Sequence, residues 1–396
     1  MKKVLVPRVR FKGFGEEWSE ERIENLSSFR RGSFPQPYGK EEWYNGVNLM
    51  PFVQVFDIGD DLKLEPKTKQ KISLSAQRIS VFVKKGSVLV SLQGTIGRTA
   101  VSQYDSYIDR TILVFEGYKT KINKTFWAHI IKKKFQIESD NAPGAIIKTI
   151  TKEVLSNFQL LLPKYNEQQK IGKLLDQISN LITLEEIKHN KLKQLKETLL
   201  QKMFPEYNSK YPRIRFKGFD EEWKEEKLDD IFKVITGGEP PKNYKNSKHP
   251  VGKYKYPIYS NGQEANAIWG FSDNYSINTE AITISSIGTI GFPVVRKMFF
   301  TPIIRLKTLL PYNKNMNINF LNLSVSQINF SFNQAGIPSM NSNQLKDNII
   351  LISRNFSEQQ KIGDFFSKID TLLDLYNSKL KKLKQIKEAL LQKMFV

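Results

Sequence analysis

Cysteine is absent from this 396-residue chain, so disulfides and thiolate metal sites are excluded. Histidine is nearly absent: His129, His189 and His249 lie far apart, with no metal-ligand spacing between them. The opening MKKVLVPRVRF lacks the apolar core of a signal peptide, and no run approaches a transmembrane span. A soluble cytoplasmic protein with no bound metal and no membrane partner is therefore expected. Catalytic signatures are missing as well. The nearest text to a phosphate loop, GTIGRTA, lacks its lysine, and there is no G-x-G-x-x-G opening a helix, no H-E-x-x-H and no G-x-S-x-G. The Asn/Asp-Pro-Pro-aromatic tetrapeptide of amino-methylating enzymes is missing, since EPPKN at 239–243 does not match it. No catalytic residue is assigned. Acidic residues are outnumbered, 40 Asp+Glu against 61 Lys+Arg, which leaves a formal charge of +21. A charge of this size favours a polyanionic partner, and nucleic acid is the first candidate.

What the chain does have is repetition, which bears directly on architecture. Glu167 to Phe204 reads EQQKIGKLLDQISNLITLEEIKHNKLKQLKETLLQKMF, and Glu358 to Phe395 repeats it 191 residues later, with EQQKIG and LLQKMF unchanged. The apolar spacing inside each copy is helical, and no proline interrupts it. With Ile171 as position a, the first copy places Ile171, Leu174, Ile178 and Leu181 on a seam. A polar break follows at Glu185 and Lys188, and the seam resumes with Leu192, Leu195 and Leu199. The second copy places Ile362, Phe365, Ile369, Leu372, Tyr376, Leu383, Ile386 and Leu390 there, with Lys379 interrupting. Such 3–4 spacing over four heptads predicts a coiled coil of the two helices.

A second repeat opens each half: PRVRFKGFGEEW from Pro7 and PRIRFKGFDEEW from Pro212. Acidic, helix-like stretches follow at Glu20–Leu26 and Glu225–Ile231. Gly94-Thr95-Ile96-Gly97 returns as Gly288-Thr289-Ile290-Gly291, each after a β-rich run, SVLVSL and AITIS. Final strands are expected in Leu155–Pro163 and Leu345–Ser353. The chain is thus two copies of one α+β plan. It comprises a first body (1–165), a first long helix (166–204), a linker (205–211), a second body (212–356) and a second long helix (357–396). The copies are expected to be related by a pseudo-twofold axis, with the helices antiparallel.

Between the shared marks the bodies diverge almost completely, as two sites doing one job on different targets would. Base-reading residues are therefore sought where the halves differ, among side chains able to make bidentate contacts with base edges. The candidates are Arg30, Arg31, Ser33, Gln36, Gln93 and Arg98 in the first body. In the second they are Lys242, Lys245, Lys248, Ser286, Arg296 and Asn333. The recurring Arg8, Arg10, Arg213 and Arg215 suit docking onto the helices, Lys132-Lys133-Lys134 suits a solvated face, and GTIG suits a turn with positive φ at its glycines.

Two divergent bodies with RF-G-F--EW openings and GTIG turns, each followed by an EQQKI…LLQKMF helix, resemble the specificity subunit of type I restriction-modification systems. The resemblance covers essentially the whole chain. It implies two globular α/β target recognition domains, separated by the antiparallel coiled coil and each reading half of a bipartite asymmetric sequence in double-stranded DNA. It implies that the coiled coil sets the spacing and docks two methylation subunits, and that restriction/translocase subunits add cleavage. S-adenosylmethionine, ATP and Mg would sit on those partners and no cofactor on this chain, in a bacterial or archaeal cytoplasm. The alternative is a bivalent DNA-binding scaffold without such partners.

Overall fold

The computed structural model describes residues 6–140, 152–206, 209–262, 267–334 and 336–396, so linker residues 207 and 208 lie outside it. Two compact units divide the chain: Met1–Glu186 with Ser378–Val396, and Ile187–Asn377. Each long helix, Tyr165–Met203 and Phe356–Met394, starts in one unit and ends in the other.

The first unit has a central antiparallel sheet with strand order Ser27–Arg31, Ile112–Tyr118, Val88–Ser91, Thr99–Val101. Beside it lies a smaller sheet containing one parallel pair, Met50–Val53 with Ser106–Ile108. The second unit repeats the plan, with Phe232–Thr236, Lys307–Pro311, Ala281–Ser285 and Gly291–Arg296. Its smaller sheet carries the corresponding parallel pair, Tyr256–Tyr259 with Thr301–Pro302. Within the runs SVLVSL and AITIS, Val88–Ser91 and Ala281–Ser285 are fully buried central strands, which explains their mostly apolar character.

The acidic stretches after each opening motif are mostly extended. Ser19–Arg22 pairs with Gln159–Leu162, and Lys224–Lys227 with Ile349–Ile352; only one helical turn follows, Ile23–Leu26 and Leu228–Ile231. An edge ribbon with outward-facing Glu and Arg needs no helix to keep those charges in water. The expected final strands are shortened in the same way, since Lys152–Ser156 and Ser342–Lys346 are helical turns ahead of them.

Every shared motif has a structural task. Glu167 is 1 % exposed and accepts two hydrogen bonds from Arg10, at 2.6 and 2.7 Å. Glu358, 0 % exposed, does the same with Arg215, and also accepts from the Trp223 indole at 3.2 Å. The next residue, Gln168, accepts from the Asn123 backbone N–H, and Gln359 accepts from that of Asn317. A Cβ at Gly172 would lie 2.2 Å from Asn123 Oδ1, and one at Gly363 2.3 Å from Asn317 Oδ1, so glycine is required at both. The far end of each copy is a plug. Met394 and Phe395 enter the first unit's core, where Phe395 stacks on Phe126 and meets Trp18 edge-on. Met203 and Phe204 fill the second core against Trp223 and Phe320. The opening motif then caps the helix end: Val9 N–H donates to Lys393 O, and Ile214 N–H to Lys202 O.

The seam runs one residue away from six of the fifteen expected positions. In the first unit the buried or half-buried row is Ile171, Leu175, Ile178, Ile182 and Glu185, facing Leu380, Leu383, Lys387, Leu390 and Met394. In the second it is His189, Leu192, Lys196, Leu199 and Met203, facing Ile362, Phe366, Ile369, Leu373 and Tyr376. The expected d residues lie outside these rows. Leu181, Leu195, Leu372 and Ile386 are 47 %, 50 %, 46 % and 50 % exposed, while Leu174 and Phe365 flank the cores. Glu185 does not break the seam but lies in it, paired with Lys379 at 2.9 Å. In the first unit Glu185 pairs with Lys379 while Ile171 and Leu175 share a core with Leu390 and Met394, and in the second Lys196 pairs with Asp370 while Met203 shares a core with Ile362 and Phe366, so the packing is antiparallel within each.

The substitution Arg215→Met leaves the buried Glu358 carboxylate without its cation. A loss of about 3–5 kcal/mol is expected in denaturant unfolding of the chain; a midpoint equal to wild type would refute the role given to this pair. His129 is 7 % exposed beside Phe395. Burial, then the charges of Lys387 and Lys132, lower its pKa to about 3. The unfolded value is about 6.5, so between these limits the unfolded state alone binds the proton. Stability is therefore full above about pH 6.5 and falls as pH drops, by up to about 1.4 kcal/mol per unit. The variant His129→Gln should show a shallower decline between pH 6 and 4, and an identical pH–stability curve would overturn the assignment.

Candidate nucleic-acid interface

Strand register places three loops at one end of each central sheet. In the first unit the pairs Arg31↔Leu113, Ser91↔Ile112 and Val90↔Thr99 mark that end. The loop after Arg31, the GTIG turn at 94–97 and the turn at 109–111 converge there. In the second unit Thr236↔Lys307, Ile284↔Lys307 and Ser285↔Gly291 bring together the loop after Thr236, the GTIG turn at 288–291 and the turn at 303–306. The GTIG glycines have φ of 71° and 82° in the first copy and 73° and 95° in the second, the left-handed region glycine occupies without cost. At Gly32 and Gly237 the reason for glycine is closeness. Added Cβ atoms would stand 2.2 Å from Asp109 O and 2.8 Å from Ile303 N, because the divergent loop leaves its strand pressed against the neighbouring turn.

The candidate readers fall into groups. Arg31, Gln93 and Arg98 lie at the convergent end of the first sheet. Arg31 Nε donates to Arg110 O, and Arg98 Nη1 donates to Ile58 O at 3.0 Å, with Asp60 at 3.8 Å. Gln93 is half-buried immediately ahead of the turn. Arg30 lies on the strand and pairs with Glu116 at 2.8 Å. In the loop beyond, Ser33 donates to Ile79 O at 2.9 Å and Gln36 accepts from the Tyr38 N–H at 3.2 Å. In the second unit Lys242, Lys245 and Lys248 are exposed on the divergent segment; Lys245 lies in the short strand Tyr244–Lys245, its ammonium 5.9 Å from the Tyr254 ring centre. Asn333 is exposed and accepts from Gln344 at 3.3 Å.

Two candidates are corrected. Ser286 is 1 % exposed; its N–H donates to Asn261 Oδ1 and its hydroxyl to Arg305 O, so it braces the turn. Arg296 is 5 % exposed, 3.9 Å over the Tyr259 ring, and donates to Thr283 Oγ1. It also sits at the far end of its strand, opposite Ala281. Neither presents its polar atoms to a ligand.

Two exposed cations escaped the sequence reading. Arg110 and Arg305 occupy the turn before the last core strand of each unit, and Arg110 stands 5.8 Å over the Tyr38 ring. The texts IDRT and IIRL did carry the signal, an arginine in each of two otherwise dissimilar turns, one position apart in the strand register. The lysine triplet is tied down. Lys132 donates to Asp60 O at 2.6 Å, Lys133 to Phe395 O at 3.1 Å, and Lys134 pairs with Glu138 at 2.6 Å. Among the described residues no cluster of His, Cys, Asp and Glu could hold a metal ion, and no helix is long and apolar enough to cross a membrane.

Two α/β modules on one frame, each offering a different loop cluster at the same sheet end, define a two-module recognition protein. The family model described as the type I restriction modification DNA specificity domain matches residues 15–194 and 220–385, and the chain belongs to that family. A Mycoplasma pneumoniae protein named as a type I specificity subunit is 30 % identical over 217 residues, 54 % of this chain and 56 % of that one. The type I restriction enzyme MjaIX specificity subunit of Methanocaldococcus jannaschii is 21 % identical over 269 residues, 61 % of this chain and 59 % of that one. The chain thus matches little more than half the length of these curated relatives. A crystal structure of a type I system S subunit from M. genitalium shares the fold over 99 % of both chains, with TM-score 0.67 at 16 % identity. A second structure, described as the basis of complex assembly and conformational transition of the type I R-M system, aligns at TM-score 0.52, with 15 % identity and 96 % and 97 % coverage.

Proposed function

We propose that this chain is the sequence-specific DNA-binding subunit of a type I restriction-modification complex, each unit reading one half of a bipartite asymmetric site. The observation that carries this reading is the convergence of dissimilar loops at the same sheet end of two similar frames, in a chain of charge +21. A shared frame holds the orientation while the loops change the target. The chain itself is non-catalytic. Adenine methylation belongs to methylation subunits carrying S-adenosylmethionine, and cleavage to restriction/translocase subunits using ATP and Mg. The long helices set the spacing between half-sites. Exchanging residues 27–160 for the equivalent segment of a relative should then change one half-site, with the other half-site and the spacer length unchanged. Methylome sequencing reads all three, and a change in both half-sites would overturn the modular reading.

Docking of the methylation subunits finds support in the apolar residues excluded from the seam. Leu181, Leu184 and Ile386 in the first unit are 47 %, 53 % and 50 % exposed. Their repeat equivalents in the second unit, Leu372, Leu375 and Leu195, are 46 %, 63 % and 50 % exposed. Residues three apart on a helix share a face, and an apolar face kept in the same place twice suits one partner per unit. The double variant Leu181→Glu/Leu184→Glu should leave folding intact and reduce the methylation subunits bound from two to one, as weighed by light scattering. Retention of two would count against this surface, and failure of the wild type to bind any would leave the bivalent scaffold as the reading.

A further inference from the structure

Lys307 is a buried ammonium with no counter-ion among the described residues, and it occurs in only one of the two central sheets. It opens the Lys307–Pro311 strand, opposite Thr236 and Ile284. The equivalent place in the first unit, opposite Arg31 and Val90, is held by Leu113, 2 % exposed in an apolar core. The frame therefore accepts a leucine here, and packing does not ask for a charge. Lys307 is itself 5 % exposed. Its Nζ donates to Thr236 Oγ1 at 3.0 Å and to Ser342 Oγ at 2.9 Å, two neutral oxygens for three N–H donors. Burial, with the Arg305 charge adding to it, lowers its pKa from the ordinary lysine value.

A second cation is held beside it. Arg305 is exposed and has no acidic partner among the described residues. It follows Ile304 through a turn in which both take left-handed φ, 53° and 61°, which costs a non-glycine residue free energy. Three hydrogen bonds keep the turn in place: Ile304 N–H to Gly238 O, Arg305 N–H to Gly237 O, and the Ser286 hydroxyl to Arg305 O. Thr236, the hydroxyl partner of Lys307, is exposed, so the ammonium lies just under the surface at the end where the divergent loops converge.

A buried cation answered only by hydroxyls destabilises the unit that holds it. Its free donor, with a neighbouring guanidinium on a strained turn, is the complement of an anion. We infer that Lys307 and Arg305 form a phosphate-binding site of the second unit, taking a backbone phosphate of the duplex. This inference rests on the DNA-binding reading above. A phosphate contact positions the protein on the duplex, and it weakens binding equally for all sequences when removed.

The test uses the full-length chain and duplexes carrying its site, with Lys307→Met and, as a second variant, Lys307→Leu, the residue type the first unit has. Both should unfold at or above the wild-type temperature. Their slope of log affinity against log salt should be shallower by about 0.9. The loss of affinity between about 50 and 200 mM salt should therefore be about threefold smaller than for wild type. Their affinity at low salt should fall to a similar degree for cognate and altered sites. An unchanged affinity and slope would overturn the proposal while the DNA-binding reading stood. A loss confined to one base pair would also overturn it, since Lys307 would then read a base. Unfolding of both variants would assign Lys307 to structure and overturn it as well. Wild-type protein that binds no duplex at all would instead sink the DNA-binding reading itself.

Discussion

Two carboxylates, Glu167 and Glu358, hold the arrangement together. Each is sealed from water at the start of a long helix, and each is answered by one arginine through two hydrogen bonds. A buried carboxylate without a cation is costly enough to unfold a marginal domain, so the opening segment must close over the helix for the unit to exist. That closure also puts the segment's N–H groups within reach of the other helix's last carbonyls, through Val9 to Lys393 and Ile214 to Lys202. One ion pair thus couples three pieces of chain: the opening motif, the start of one repeat helix and the end of the other, all distant in sequence in the first unit.

The plugs LLQKMF complete this logic. Phe395 is a core residue of a unit whose body lies far from it in sequence, while Phe204 enters the core of the body that follows it. Each central sheet packs on a core that holds the end of the other copy's helix, so neither core is complete without both long helices. The loops at the convergent sheet end stand apart from this network. They meet the frame at the glycine approach of Gly32 and Gly237 and at the braces that Ser91 and Ser286 give the GTIG turns. Rigidity beneath and freedom above are what a reader of changing targets requires.

The repeated motifs were legible in the sequence because they are local in text and strongly constrained. The double EQQKI and LLQKMF helices, the opening motifs, the GTIG turns with their positive φ and the central strands all stand where the repeat places them. The phase of the seam was not legible. Leu174 and Leu175, Leu181 and Ile182, Phe365 and Phe366, and Leu372 and Leu373 are adjacent apolar pairs, so two rows fit the heptad equally well. At Leu195–Lys196 and Ile386–Lys387 the text even favours the wrong row. The lysines go inward because their long apolar stems can be buried while the ammonium reaches an acid, as Lys196 does with Asp370.

The sequence by itself determined that this protein is two copies of one plan, that its frames agree while their contents differ, and that the chain is strongly basic. Periodicity and composition are properties of the text, and the physics that reads them is short-range. Only the tertiary structure decided which polar residues of the divergent loops are free to meet a ligand. Ser286 and Arg296 look like readers in the text, yet hydrogen bonds and an aromatic ring from distant strands enclose them. Lys307 reads as an ordinary strand residue until its two hydroxyl partners, and no carboxylate among the described residues, are seen around it. Burial and partnership are set by neighbours far along the chain, and no local pattern records them.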